Sequence, residues 1–270
     1  MSAFTNHFAF EFKTGIRNPS LMLMNYLLPL GFYIMMGAIM VKINPTFGEI
    51  LIPVMIVFTA MSTALLGMPG PLVELRDAGV YRSFKINGVP ALSILTVPVL
   101  TTIFHSLIVS VVIVITAHPL FGGLNPTNWV ALVWGTLLST FTMGALGALI
   151  AVVSTGARST VLLAQAIYLP SILIGNMMVP VAALPASLQP LAGLFPTTYA
   201  MTVFQYYAYG QQTVFNPVAS LLVLLASIVI SFLLALYLFS WDSQNQTRRG
   251  SPLLALLALL PFLLGIVFAY

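Results

Sequence analysis

No formally charged side chain occurs between Lys85 and Arg158, nor between Arg158 and Asp242. Each gap is several times longer than the ~20 apolar residues that carry a helix across a bilayer. A surface built from such stretches could not stay hydrated, so a water-soluble domain is excluded. Only 5% of the 270 residues are charged and 60% are hydrophobic, where ordinary soluble domains run near a quarter charged. The expected class is an all-α polytopic membrane protein.

The remaining charges indicate orientation rather than ligand. Nine Lys+Arg against five Asp+Glu are too few for a nucleic-acid surface, and they fall at the ends of apolar runs. There is no cysteine, which excludes a disulfide framework, a thiolate metal site and a Cys nucleophile, and leaves the redox compartment open.

Residues 1–19 do not read as a secretory signal, because Glu11, Lys13 and Arg17 interrupt any apolar run. At helical spacing Phe4, Phe8, Phe12 and Ile16 form one stripe, with Asn6, Lys13 and Arg17 away from it and Phe10 as the exception. This pattern predicts an amphipathic helix lying in the membrane interface.

Spans are expected at about Ser20–Val41, Ile50–Met68, Leu92–Ala117, Trp129–Val153, Val161–Met178 and Pro217–Ser240. Pro69-Gly70-Pro71 is expected to break the helix after the second span, and His118-Pro119 to begin a turn after the third. Residues 179–216 carry Pro180, Pro185, Pro190 and Pro196, which predicts two short half-helices re-entering the membrane from one side. A last apolar run, Pro252–Tyr270, is just long enough for a seventh span. With the N-terminus in the cytosol, Lys13, Arg17, Arg76, Arg82, Lys85, Arg158, Arg248 and Arg249 all fall inside, and only Lys42 falls outside. Tyr199, Tyr206, Tyr207 and Tyr209 then suit an outer interfacial belt.

The sequence shows no catalytic constellation. It lacks a phosphate-binding loop, an H-E-x-x-H pair and a G-x-S-x-G elbow. Glu49 and Lys42 read as a weak interfacial pair. His105 is the one titratable residue near the middle of a span, which makes it a candidate for a transport pathway. A neutral imidazole bonded to nearby Thr101, Thr102 or Ser106 is the structural alternative. Gly135, Gly144, Gly147, Ala148 and Ala151 predict close helix packing, within the subunit or across a dimer. The run from Val73 to Lys85 mixes both charge signs with Leu75, Val80 and Phe84, as expected of a short cytosolic helix with one face toward a partner.

Taken together, these features resemble the ABC-2 family of membrane permeases. Glu74, Arg76, Asp77, Gly79, Arg82 and Pro90 match that family's E-x-R-[DE]-x-G run with its following basic residue and proline. Val179-Pro180, Leu184-Pro185, Leu188-Gln189 and Phe195-Pro196-Thr197-Thr198-Tyr199 match its P…LP…LQ…P-x-x-Y signature. The resemblance covers roughly residues 4–240. It implies a connecting helix (1–19) and a six-span domain (20–240), with a cytosolic coupling segment (72–91) and an outer re-entrant segment (179–216). Residues 241–270 would add a link and an extra span to the family's six.

The resemblance further implies that Glu74, Arg76, Asp77, Gly79, Arg82 and Lys85 couple the permease to an ATPase, and that Pro180, Pro185, Pro196 and Tyr199 shape an outer gate. Two separate ATPase subunits would carry the ATP and magnesium, this chain binding neither. A second permease copy or a similar chain would complete a transporter in the plasma membrane. A charge-poor pathway suits amphiphilic or hydrophobic cargo. Two other classes stay open from sequence: a stand-alone carrier or channel, against which the lack of paired buried charge counts, and a membrane scaffold without cargo.

Overall fold

The computed structural model describes residues 3–242 and 250–268, and every regular element among them is helical. Arg248 and Arg249, and the side chains of Phe4 and Asn6, lie outside the described set. Helix α1 (Ala3–Arg17) leads into α2 (Pro19–Ile43). At that junction the Asn18 side chain accepts from the Ser20 and Leu21 amides, and Pro19 takes the first helical position, where no donor is needed.

Helix α3 (Phe47–Asp77) passes straight through Pro69-Gly70-Pro71, contrary to the break expected there. A widened turn at Ser62–Gly67 lets the Met68 amide reach back five residues to the Thr63 carbonyl, at 3.1 Å. That shift restarts the hydrogen-bond ladder, so both prolines fall in a first turn that has no carbonyls to serve. A joint at Ala78–Gly79, with Gly79 at φ 74°, then leads into α4 (Val80–Ile86).

Helix α5 (Ala91–Phe121) likewise continues past His118-Pro119 and stops one turn later than expected, at Gly122 in the left-handed region. Helix α6 (Trp129–Val153) matches the sequence reading and is capped by Asn128. Helix α7 (Ala157–Ile174) starts earlier than expected and takes Arg158 into its first turn. The proline-rich stretch forms one 3-10 turn (Val181–Ala183), a single helical turn (Gln189–Ala192) and α8 (Pro196–Val203), which continues as a wide turn to Ala208. Only α8 is a substantial half-helix, and all its residues are buried. Helix α9 (Pro217–Leu238) is followed by α10 (Pro252–Phe268), whose first eight residues are 3-10 and last nine α-helical.

Among the described residues, six helices, α2, α3, α5, α6, α7 and α9, are long and apolar enough to cross a membrane. Helix α3 is the centre: 89% of its most apolar window is buried, against 22% for α2 and for α7, which form the periphery. Helix α6 packs extensively along both α9 and α3. The small residues of α6 serve contacts inside this chain. Gly135 faces Phe204, Gly144 faces Val99, and a methyl group on Gly147 would overlap the Ala64 carbonyl oxygen of α3.

Many buried hydroxyls are satisfied locally. Thr59, Thr101, Ser110, Thr136, Ser139, Thr140 and Thr142 each donate to the carbonyl four residues back in their own helix. The space between α3, α5 and α6 is filled by apolar side chains such as Leu51, Ile52, Met55, Ile56 and Met61.

Candidate functional site

The C-terminal ends of α3, α6 and α9 meet the N-terminal ends of α5 and α7 at one end of the bundle, where Arg76, Arg82, Lys85 and Arg158 gather. Here α3 ends and α4 folds back across it at Gly79. The Tyr81 hydroxyl donates to the Leu72 carbonyl at 3.0 Å, which fixes the bend. Burial raises the Tyr81 hydroxyl's pKa above its ordinary value, the Glu11 carboxylate adds to this, and Arg76 opposes both.

The six residues expected to act together in coupling divide into two groups. Glu74, Asp77, Arg82 and Lys85 are exposed, and Gly79 forms the joint. Arg76 points the other way and is 4% exposed. Its guanidinium donates to the carbonyls of Ala151 (3.3 Å), Val152 (3.3 Å) and Ser154 (2.7 Å), and to the Asp77 carboxylate at 3.4 Å. The three carbonyls belong to the end of α6, where no downstream amides can serve them and the helix dipole is negative. Arg76 thus fastens α3 to α6. Charge patterning does not reveal this, because an arginine among acidic neighbours reads as solvated.

Arg82 pairs with Asp242 just after α9. Helix α1 lies against α4, with His7 edge-on to the Phe84 ring at 5.8 Å and 3.6 Å from Glu11. Between α1, α4 and the start of α5 is an open, largely apolar cavity of about 580 Å3, bordered by Phe10, Glu11, Leu75, Val80, Phe84 and Val89. The expected stripe on α1 is rotated from its predicted position. Phe8 and Phe12 face the bundle with buried Gly15, while Ile16 is 42% exposed and Phe10 is 65% exposed.

At the opposite end, Pro180 and Pro185 are exposed, whereas Pro196 and Tyr199 are buried. Tyr199 does not belong to an interfacial belt. Its ring is fully buried, and its hydroxyl donates to the carbonyls of Gly193 (2.7 Å) and Phe262 (3.2 Å). Tyr209 is also buried, Tyr207 packs on Trp134, and only Tyr206 is largely exposed. The belt reading fails for Tyr199 and Tyr209, which are buried inside the fold, while Tyr206 and Tyr207 keep part of their surface exposed.

Asn176 was not anticipated as a site. It adopts φ 64°, accepts from the Val181 amide at 3.1 Å and donates to Gln205 at 3.2 Å, turning the chain after α7. The Gly175-Asn176 pair after an apolar run was its only signal. Lys42 and Glu49 are both exposed, with no ion pair between them. The hydrogen-bonding partner of His105 is also not the expected one. Thr101 is committed to its own helix, and the Tyr26 hydroxyl of α2 sits 2.6 Å from His105 Nδ1.

The family model for ABC-2 type transporters matches residues 4–209. No individual curated protein matches the chain. That match spans α1, the α3–α4 bend and the Pro196–Tyr199 helix, and the six apolar helices agree with it. The chain therefore belongs to the ABC-2 type transporter family and is a multi-pass membrane permease component of an ABC transporter.

Proposed function

We propose that this permease exports an amphiphilic or hydrophobic substrate, driven by a separate ATPase that docks on the exposed faces of α3 and α4. One observation carries the reading. Glu74 and Asp77 present carboxylates to solvent from the same helical turns in which Arg76 is buried and bonded to the end of α6. A partner that pushes on Glu74 and Asp77 pushes on α6 through Arg76, and α6 is packed along α9. Coupling requires the partner to bind two arrangements of this region with different affinity.

The basic end of the bundle is cytosolic on this reading, with the N-terminus inside the plasma membrane. On this reading the pathway lies away from the close-packed centre around α3. The exposed apolar flanks of α2 and α7 suit a second permease, a copy or a homologue, with cargo moving between the two.

Residues 252–268 run antiparallel to α9, from Leu254 near Leu238 to Phe268 near Pro217. Eight 3-10 residues at ~2.0 Å rise and nine α-helical residues at ~1.5 Å reach about 30 Å, enough for the hydrocarbon core. This segment is the seventh crossing, and it places the C-terminus outside.

Two measurements test these assignments. Changing Glu74 and Asp77 together to Ala should abolish transport-coupled ATP hydrolysis by the co-purified ATPase while membrane insertion stays normal; intact coupling removes the docking assignment. Because the chain has no native cysteine, single cysteines at 250 and 268 can be labelled cleanly with an impermeant maleimide. Labelling from outside at 268 and not at 250 is expected, and protection at both positions in intact cells refutes the seventh crossing.

A further inference from the structure

His105 sits midway along α5, is 2% exposed, and is surrounded by groups from two other helices. The Phe12 ring of α1 stacks on the imidazole with centroids 4.6 Å apart and planes 5° from parallel. The Tyr26 ring of α2 meets it edge-on at 5.5 Å, and the Tyr26 hydroxyl holds Nδ1 at 2.6 Å. On the remaining side Nε2, which has no hydrogen-bond partner among the described residues, faces the backbone of Gly15, where an added methyl group would overlap it. One turn away, Phe8 meets Phe104 edge-on at 5.4 Å.

From this we infer that His105 is the seat of the N-terminal helix, a positioning residue that fixes α1 at once to α2 and α5. Phe12 covers the ring's face and Tyr26 holds its far nitrogen, so a group pushing on the ring must disturb both contacts. Gly15 is therefore the residue of α1 whose lack of a side chain allows the approach. A pull on α1 moves α2 and α5 together, because all three helices meet on one imidazole. This assignment does not depend on which partner supplies the energy, and it replaces a pathway role for His105.

The test uses the full chain in lipid nanodiscs, with amide hydrogen exchange read over residues 8–17. Gly15→Ala should accelerate exchange there roughly tenfold or more, because the methyl group and the trapped ring cannot share the space. His105→Ala, which removes the stacking surface, should do the same. The double variant should exchange within about threefold of His105→Ala alone, because the methyl group then fits where the ring was. Exchange over α6 and α9 should stay at parent values in all three. Unchanged exchange in Gly15→Ala, a double variant at the product of the single effects, or acceleration throughout the bundle would each overturn the assignment.

Discussion

Replacing Arg76 tests whether the central charge of the α3–α4 bend works inward or outward. Its strongest bond, 2.7 Å to the Ser154 carbonyl, and two longer ones at 3.3 Å all end on the last turn of α6. A hydrogen bond to a charged group contributes about 1.5–3 kcal/mol, so the short bond is worth about 2 kcal/mol and the long pair about 2 kcal/mol together. Removing the guanidinium also relieves its desolvation cost, which leaves a net loss of about 3 kcal/mol for Arg76→Ala. Arg76→Met keeps the packing of the stem and should lose about 2 kcal/mol. Arg76→Lys retains a charge but cannot reach three carbonyls at once, and should lose about 1–2 kcal/mol.

The assay is denaturant titration of the isolated permease in mixed micelles, together with hydrogen exchange at residues 150–156. The expected order of stability is parent, then Lys, then Met, then Ala. If isolated Arg76→Ala is as stable as the parent and only ATPase binding suffers, then Arg76 serves the partner and the inward strut is refuted.

Three further outcomes follow from the same geometry. Gly147→Ala should cost about 2–3 kcal/mol in the same titration, because the new methyl group meets the backbone of Ala64, which cannot rotate away; an unchanged midpoint would show that α3 and α6 have slack there. Tyr199→Phe, which removes the hydroxyl that donates to Gly193 and Phe262, should cost about 1–2 kcal/mol and speed exchange across 260–268. Unaltered exchange in that segment would show that α10 is held without Tyr199. Arg82→Ala should change stability by less than about 1 kcal/mol, since its side chain is 56% exposed in the pair with Asp242. A larger loss would mean that this pair holds α4 to the end of α9.

Much of the site was legible along the chain and some was not, for identifiable reasons. The E-x-R-[DE]-x-G run marked the bend after α3, and Gly79 does turn it. Direction was hidden: Arg76 is buried while Glu74 and Asp77 are exposed, and nothing local separates an arginine that caps another helix from one in water. Prolines misled twice. Pro69 and Pro71 removed donors that a widened turn had already made unnecessary, and Pro119 falls in a last turn that the helix completes at Gly122. The tyrosines near 199–209 suggested a belt because composition cannot tell a ring at an interface from one bonded inside.

By itself the sequence determined that the chain is a helical membrane protein, the number of its long spans and the end on which its charge lies. Those follow from the free energy of placing apolar and charged groups in or out of water, which each segment carries independently of the others. Only the tertiary structure decided that α3 is the centre, that Arg76 fastens it to α6, and that Phe12 of α1 and Tyr26 of α2 meet on His105. Each of those depends on which carbonyl, ring or glycine surface another helix brings within a few ångströms, and such contacts between distant residues leave no periodic trace along the chain.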